Sequence, residues 1–271
     1  MSGLPDAVLA HLKEVVREPD LEGTRYKLIR PIGRGGMGAV YLVFDEVLQR
    51  QAALKVIAEA GAAEARVMAG LEHPGIVPVY DAGRLADGRS YYVMRYVEGA
   101  PLGRGSAGLV ERLQVFEKVC EAVAFAHHRG VVHRDLKPAN IMVGRFGEVF
   151  VLDWGVAGVA GTPHFMAPEG QGQPAADIYS LGALLGLLVD RQKPLLAVAR
   201  KATSYRPEDR YASPEELIAE IRRYLAGEAL LAYREKWWEK LARYGSRNKV
   251  LLLLLAAYLV VKFALYFLRP A

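Results

Sequence analysis

One cysteine in 271 residues, Cys120, excludes an internal disulfide and suits a reducing compartment. It falls in an apolar-periodic run, LQVFEKVCEAVAFAHH, and reads as a buried core thiol. The run ends in His127 and His128, which as helix neighbours point in different directions and lack further ligands, so no metal site is read there. Internal repeats are absent, as are low-complexity tracts apart from one leucine run. The opening MSGLPDAVLAHLKEVV is not built like a secretory leader. With Asp6 as cap and Leu4, Val8, Leu12 and Val15 at helical spacing, it reads as a short docking helix. Charge and hydroxyls are scarce in DWGVAGVAGTPHFMAPE, residues 153–169, which offers Thr162 alone as a hydroxyl and no charged residue in its interior.

What is present is a chain 52% apolar, enough for one large domain or two lobes, with a modest net charge of +5. From Tyr26 to about Tyr96, YKLIRPIG, GAVYLVFD, QAALKVI, IVPVYDAG and SYYVMRYV read as strands, with a helical AAEARVMAGL after the third. Apolar residues at helical spacing then predict helices over Leu109–His128, Ala176–Val189, Leu195–Ala202 and Pro214–Leu225. A short strand region, Ile141–Leu152, interrupts them. A β-rich lobe is followed by an α-rich one.

The last apolar run, VLLLLLAAYLVVKFALYFL at 250–268, carries one charge, Lys262. At about 1.5 Å per residue it would reach roughly 28 Å, close to a hydrocarbon core. A mid-helix lysine costs about 2.5–3.5 kcal/mol, which leucines at about −0.3 to −0.6 each and the other apolar residues offset, and the lysine can snorkel. The run predicts one transmembrane helix, with a buried helix of the soluble body as the alternative. Before it, residues 229–249 set Leu230, Tyr233, Trp237, Leu241 and Tyr244 on one helical face, with six cations against two acids, a net of +4. That predicts a basic amphipathic helix in the headgroup layer, or else a stripe packed on the body. The cations place the N-terminal bulk on the cytoplasmic side of a single-pass arrangement.

IGRGGMGAVY sets Gly33, Gly35 and Gly38 between two strands, which disfavours a dinucleotide fold. AALKVI places Lys55 on the third strand, where an inward ammonium needs an anion, and Glu64 on the next helix is positioned to supply it. HRDLKPAN (133–140), DWG (153–155), GTPHFMAPE (161–169), DIYSLG (177–182) and RPEDRY (206–211) follow in order. From about Tyr26 to Leu225 the chain resembles the eukaryotic-type serine/threonine protein kinases, most of all the membrane-bound bacterial ones. The resemblance implies an α+β bilobal fold, with a small β-rich lobe carrying one helix and a larger helical lobe. The expected organisation is an N-terminal extension (1–22), a kinase domain (23–226), a basic juxtamembrane segment (227–249) and a transmembrane helix (250–268).

The resemblance also implies roles. Phosphoryl transfer asks for an in-line pose and for cations on the developing charge. Asp135 is expected to orient the substrate hydroxyl, Lys137 to steady the γ-phosphate of ATP, and Lys55, paired with Glu64, to hold the α and β groups. Asn140 and Asp153 are expected to bind Mg2+ or Mn2+. Ile32, Gly33, Arg34, Gly35, Gly36, Met37, Gly38, Val40, Ala53, Met94, Arg95 and Val97 are expected around the nucleotide. His133 and Trp154 would stack beneath Met68, Glu169 and Arg210 would pair in the helical lobe, and Asp177 would hold the catalytic loop. His73 in LEHPGIV fits a turn of the family pattern. The chain departs from the family in a short Asp153–Glu169 segment that offers no phosphate switch, and in the loss of a helix after Asp190. Expected partners are protein substrates, a lipid bilayer and, compatibly, a second copy of the chain, but not nucleic acid. The rival reading is a membrane-tethered pseudokinase scaffold, against which the intact Lys55, Glu64, Asp135, Lys137, Asn140 and Asp153 stand.

Overall fold

A computed structural model describes residues 18–35, 38–57, 62–103, 108–154, 164–247 and 249–267. Five antiparallel strands come first: β1 (Tyr26–Gly35), β2 (Gly38–Asp45), β3 (Arg50–Ile57), β4 (Val79–Arg84) and β5 (Ser90–Arg95), in the order β1-β2-β3-β5-β4. Helix α1 (Ala62–Ala69) lies between β3 and β4 in the chain. Strand β3 is buried from Ala52 onward, and its period of two sorts the side chains. Ala52, Leu54 and Val56 join Tyr41, Val43 and Val93 in an outer cluster. Ala53 and Ile57 join Met94, Tyr92 and Met68 in the main core. The same alternation puts Lys55 on the core face.

The second lobe holds a small sheet, β6 (Gly99–Pro101), β7 (Ile141–Gly144) and β8 (Val149–Val151), and helices α2 (Leu109–His128), α3 (Pro174–Leu188), α4 (Lys193–Ala202) and α5 (Pro214–Leu225). The α+β bilobal architecture is therefore present. Helices α2 and α5 coincide with the ranges predicted from periodicity, whereas α3 and α4 begin two residues early. Each of those two carries a proline in its first turn, a start signal that apolar spacing does not register. Residues 189–192 alone connect α3 to α4, so no helix intervenes. The two helices approach closely at Gly182, where an added Cβ would stand 2.5 Å from that of Ala202.

The C-terminal segment differs from expectation. Residues 229–236 are not helical, and only Trp237–Arg247 forms a helix, α6. Leu230 is buried, and Ala232 and Tyr233 pack against the main core. The carboxylate of Glu220, on α5 and itself buried, accepts hydrogen bonds from the backbone N–H of Leu231 (3.0 Å) and Ala232 (2.9 Å). A backbone donor taken by a distant side chain is lost to a helical ladder. The predicted single stripe is thus split: Leu230 and Tyr233 pack on the body, while Trp237 and Leu241 are exposed.

Helix α7 (Lys249–Phe267) follows. Among the described residues no helix is long and apolar enough to cross a membrane. In α7 the uncharged run lies between Lys249 and Lys262. Those twelve residues rise about 18 Å against a hydrocarbon core of about 30 Å. The span predicted at 250–268 is not found there, and residue 268 lies outside the described residues. So do residues 1–17, where the docking helix was predicted.

Candidate active site

Register brings the upper half of the site together. Val40 on β2 stands opposite both Gly33 on β1 and Lys55 on β3, while Ala53 stands opposite Met94 on β5. Opposed residues of an antiparallel pair share a face, so Val40, Ala53, Lys55 and Met94 form one floor. Ile32 is partly buried against the same core, and Arg34 is exposed near the end of β1. Gly38 has φ +137°, and a Cβ there would collide with the Val56 carbonyl, so only glycine lets β2 begin this close to β3. Gly36 and Met37 lie outside the described residues. At the end of β5, Arg95 donates its N–H to the Pro78 carbonyl (3.1 Å). Val97 follows two residues on, partly buried against the core.

Lys55 is almost fully buried, and its Nζ lies 2.7 Å from Oδ1 of Asp153, ninety-eight residues away. A desolvated ammonium is retained only beside an anion, and this contact closes the sheet onto the second lobe. Glu64 sits on α1 as predicted, but its side chain lies outside the described residues.

The loop from His133 to Asn140 supplies the lower half. Asp135 Oδ2 accepts from Lys137 Nζ (2.6 Å) and from Asn140 Nδ2 (3.2 Å). Asn140 Nδ2 also donates to the Asp135 carbonyl (2.8 Å). With its amide nitrogen so committed, Asn140 turns its carboxamide oxygen elsewhere. The Asn140 carbonyl accepts from Leu152 N–H (2.8 Å), which sets it beside Asp153. One carboxylate and one amide oxygen are hard donors of the kind that suit Mg2+. Accordingly, no cluster of three His, Cys, Asp or Glu side chains able to hold a metal occurs among the described residues. Asp153 adopts φ +58°, a left-handed conformation costing a non-glycine residue about 1–3 kcal/mol.

Behind these groups the supports are buried. His133 Nδ1 accepts from the Asp135 N–H (3.2 Å), so its Nε2 is the donor to the Leu152 carbonyl (2.8 Å). Burial pushes its pKa down. Trp154 is buried against the His133 ring, centroids 4.7 Å apart, and its indole N–H donates to the Val151 carbonyl (3.1 Å). Met68 shares that core with Trp154. Asp177 accepts from the backbone N–H of His133 (2.8 Å) and Arg134 (3.0 Å), the latter held at φ +74°.

His127 was not predicted to matter, yet its Nε2 lies 2.8 Å from Asp177 Oδ2 and so ties α2 to the catalytic loop. It is no metal ligand in this arrangement. Its signal in the sequence, a histidine one turn before the loop, is visible only once Asp177, fifty residues on, is known to face it. His73 makes the expected turn, its Nδ1 accepting from Gly75 N–H (3.0 Å).

Arg210, its side chain fully buried, meets Glu169 through both terminal nitrogens, Nη2 to Oε2 at 2.7 Å. The guanidinium hydrogen bonds hold the Glu169 carboxyl below the usual range. Arg210 also donates to the carbonyls of Ser204, Ala175 and Tyr205. Thr162 and the rest of residues 155–163 lie outside the described residues.

Residues 26–226 match the protein kinase domain family. The chain is 32% identical over 317 residues to the serine/threonine-protein kinase PknD of Chlamydia trachomatis serovar D, covering 79% of this chain and 34% of that protein. It is 32% identical over 306 residues to PknD of Protochlamydia amoebophila (79% and 30%) and 34% identical over 292 residues to PknD of Chlamydia pneumoniae (75% and 31%). The chain spans about a third of the length of these relatives. A sheet-borne lysine paired with Asp153, a catalytic loop hung from Asp177 and a family match over the same residues agree: this chain belongs to the protein kinase domain family.

Proposed function

We propose that the chain is a serine/threonine protein kinase that moves the γ-phosphate of ATP to protein hydroxyls. The observation that carries the reading is the linked set of contacts Lys55–Asp153, Leu152–Asn140, Asn140–Asp135 and Asp135–Lys137, which gathers these groups from both lobes. ATP with Mg2+ supplies the transferable group and its counter-charge. Asp135, with one oxygen fixed by Lys137 and Asn140, presents the other to orient the attacking hydroxyl. Lys137 and Lys55 offer cations on either side of it, and Asn140 and Asp153 supply the metal's protein donors. The intact set disfavours the pseudokinase reading. Mg2+-dependent incorporation of labelled phosphate into a generic protein substrate, lost in Asp153→Asn, tests the proposal. Undiminished incorporation in that variant, or none in the unaltered chain, refutes it.

Two further parts of the reading concern place and control. α7 exposes Leu253, Leu254, Leu255, Leu259, Val260, Val261 and Phe263 in one run, which supports membrane attachment with the catalytic body on the cytoplasmic side. Lys262 would reach the interface by snorkelling. With Thr162 as its one hydroxyl, the 153–169 segment offers a phosphate switch nothing but a residue of the substrate floor. Control then falls to the membrane, a second copy or residues 1–17. Phosphosite mapping tests this: a required phosphate within residues 153–169 rules it out.

A further inference from the structure

We propose that the exposed face of α6 is a docking surface for an anionic lipid bilayer, so that the helical lobe lies against the membrane. The inference rests on the membrane attachment proposed above and adds what the body does once attached. On α6, Trp237, Trp238 and Leu241 are 71%, 49% and 65% exposed, and neither core cluster includes them. At about 100° per residue, Trp237 and Leu241 lie within about 40° of each other, and Lys240 falls about 60° to one side of Trp237. Arg234, Lys236 and Lys240 are all exposed. The Lys236 ammonium lies over the Trp238 ring at 4.9 Å.

The acids of this segment are turned away from that surface's business. Glu235 accepts from Arg243 through Nε and Nη2, both at 2.9 Å. Glu239 accepts from the Tyr233 hydroxyl and the Lys236 N–H, both at 2.8 Å.

Orientation is fixed as well as charge. Glu220 grips the backbone at Leu231 and Ala232, Tyr233 packs on the core, and only residues 234–236 separate that grip from α6. Indoles flanked by cations, continuing into an apolar helix, match a headgroup layer: rings at the interface, ammoniums on anionic lipid. An RNA partner would use the cations but leave the indoles and α7 in water.

The chain's three tryptophans make the test direct, because Trp154 is buried in the core and only Trp237 and Trp238 can meet lipid. Full-length protein is reconstituted with brominated phosphatidylcholine vesicles, with or without phosphatidylserine, and tryptophan emission is followed alongside flotation. Flotation with both lipids and quenching that strengthens with phosphatidylserine is expected. In Arg234→Glu and in Lys240→Glu the docked fraction should fall by about fivefold or more each, with unfolding midpoint unchanged. Flotation without quenching, quenching indifferent to phosphatidylserine, or no effect of Lys240→Glu overturns the docking and leaves the anchor standing. Failure to float overturns both.

Discussion

Asp135 has one carboxylate oxygen held by Lys137 and Asn140, which leaves a single oxygen with a defined direction. Asp135→Asn keeps the shape and removes the acceptor strength. It should lower kcat by about 10²–10⁴ while leaving the KM for ATP within a few-fold, as initial-rate kinetics would show. His133 makes a different prediction. Buried, with its pKa pushed below the ordinary 6.5, it stays neutral in the folded chain where the unfolded chain takes up a proton. Its contribution is therefore complete above about pH 6.5 and is lost as pH falls below that value, at up to about 1.4 kcal/mol per pH unit. Urea unfolding at pH 7 and pH 5 should show a steeper loss in the natural chain than in His133→Phe, which keeps the ring against Trp154 but cannot protonate. These residues were legible in the sequence because phosphoryl transfer prescribes residue type and order. His127 was not, because its role depends on a carboxylate fifty residues away.

Between elements, the trimmed helical lobe relies on two close fits. α3 and α4 meet across Gly182, where a Cβ would also stand 3.1 Å from the Ala199 carbonyl. Gly182→Val should cost about 1–3 kcal/mol, because helices joined by four residues have little freedom to part. A fall in thermal midpoint with a parallel loss of activity would register it. Arg210 is the second fit: Glu169→Ala strands a fully buried guanidinium, a change that typically costs about 3–5 kcal/mol. Helix positions could be read from apolar spacing because each helix has one buried face. Residues 229–236 could not, because Leu230 and Tyr233 stand at a spacing that suits a helix as well as a packed coil. What decided between them is the Glu220 carboxylate, eleven residues before the N–H it takes.

At the scale of the whole molecule, the boundary of the folded body lies beyond the end of the family match at residue 226. Leu230 is buried, and burying a leucine side chain is worth about 1.5–3 kcal/mol. Remove the segment and Glu220 also loses two backbone donors, keeping only the Tyr211 hydroxyl at 3.4 Å, an unsatisfied acceptor costing about 1–3 kcal/mol. A chain ending at Ala226 should therefore be less stable than one ending at Lys236 by on the order of 3 kcal/mol. That is a large part of the 5–15 kcal/mol typical of a domain. For a body of this size the midpoint should drop by about 6–12 °C. The catalytic groups are untouched by either cut, so at low temperature both should phosphorylate with similar kcat, and only the shorter should lose activity on warming. Equal midpoints would mean that residues 227–236 merely lie on the surface and that the grip of Glu220 contributes nothing. A difference of the expected size would make this segment part of the fold, and a displacement of α6 would then be felt directly in the lobe that carries the catalytic loop.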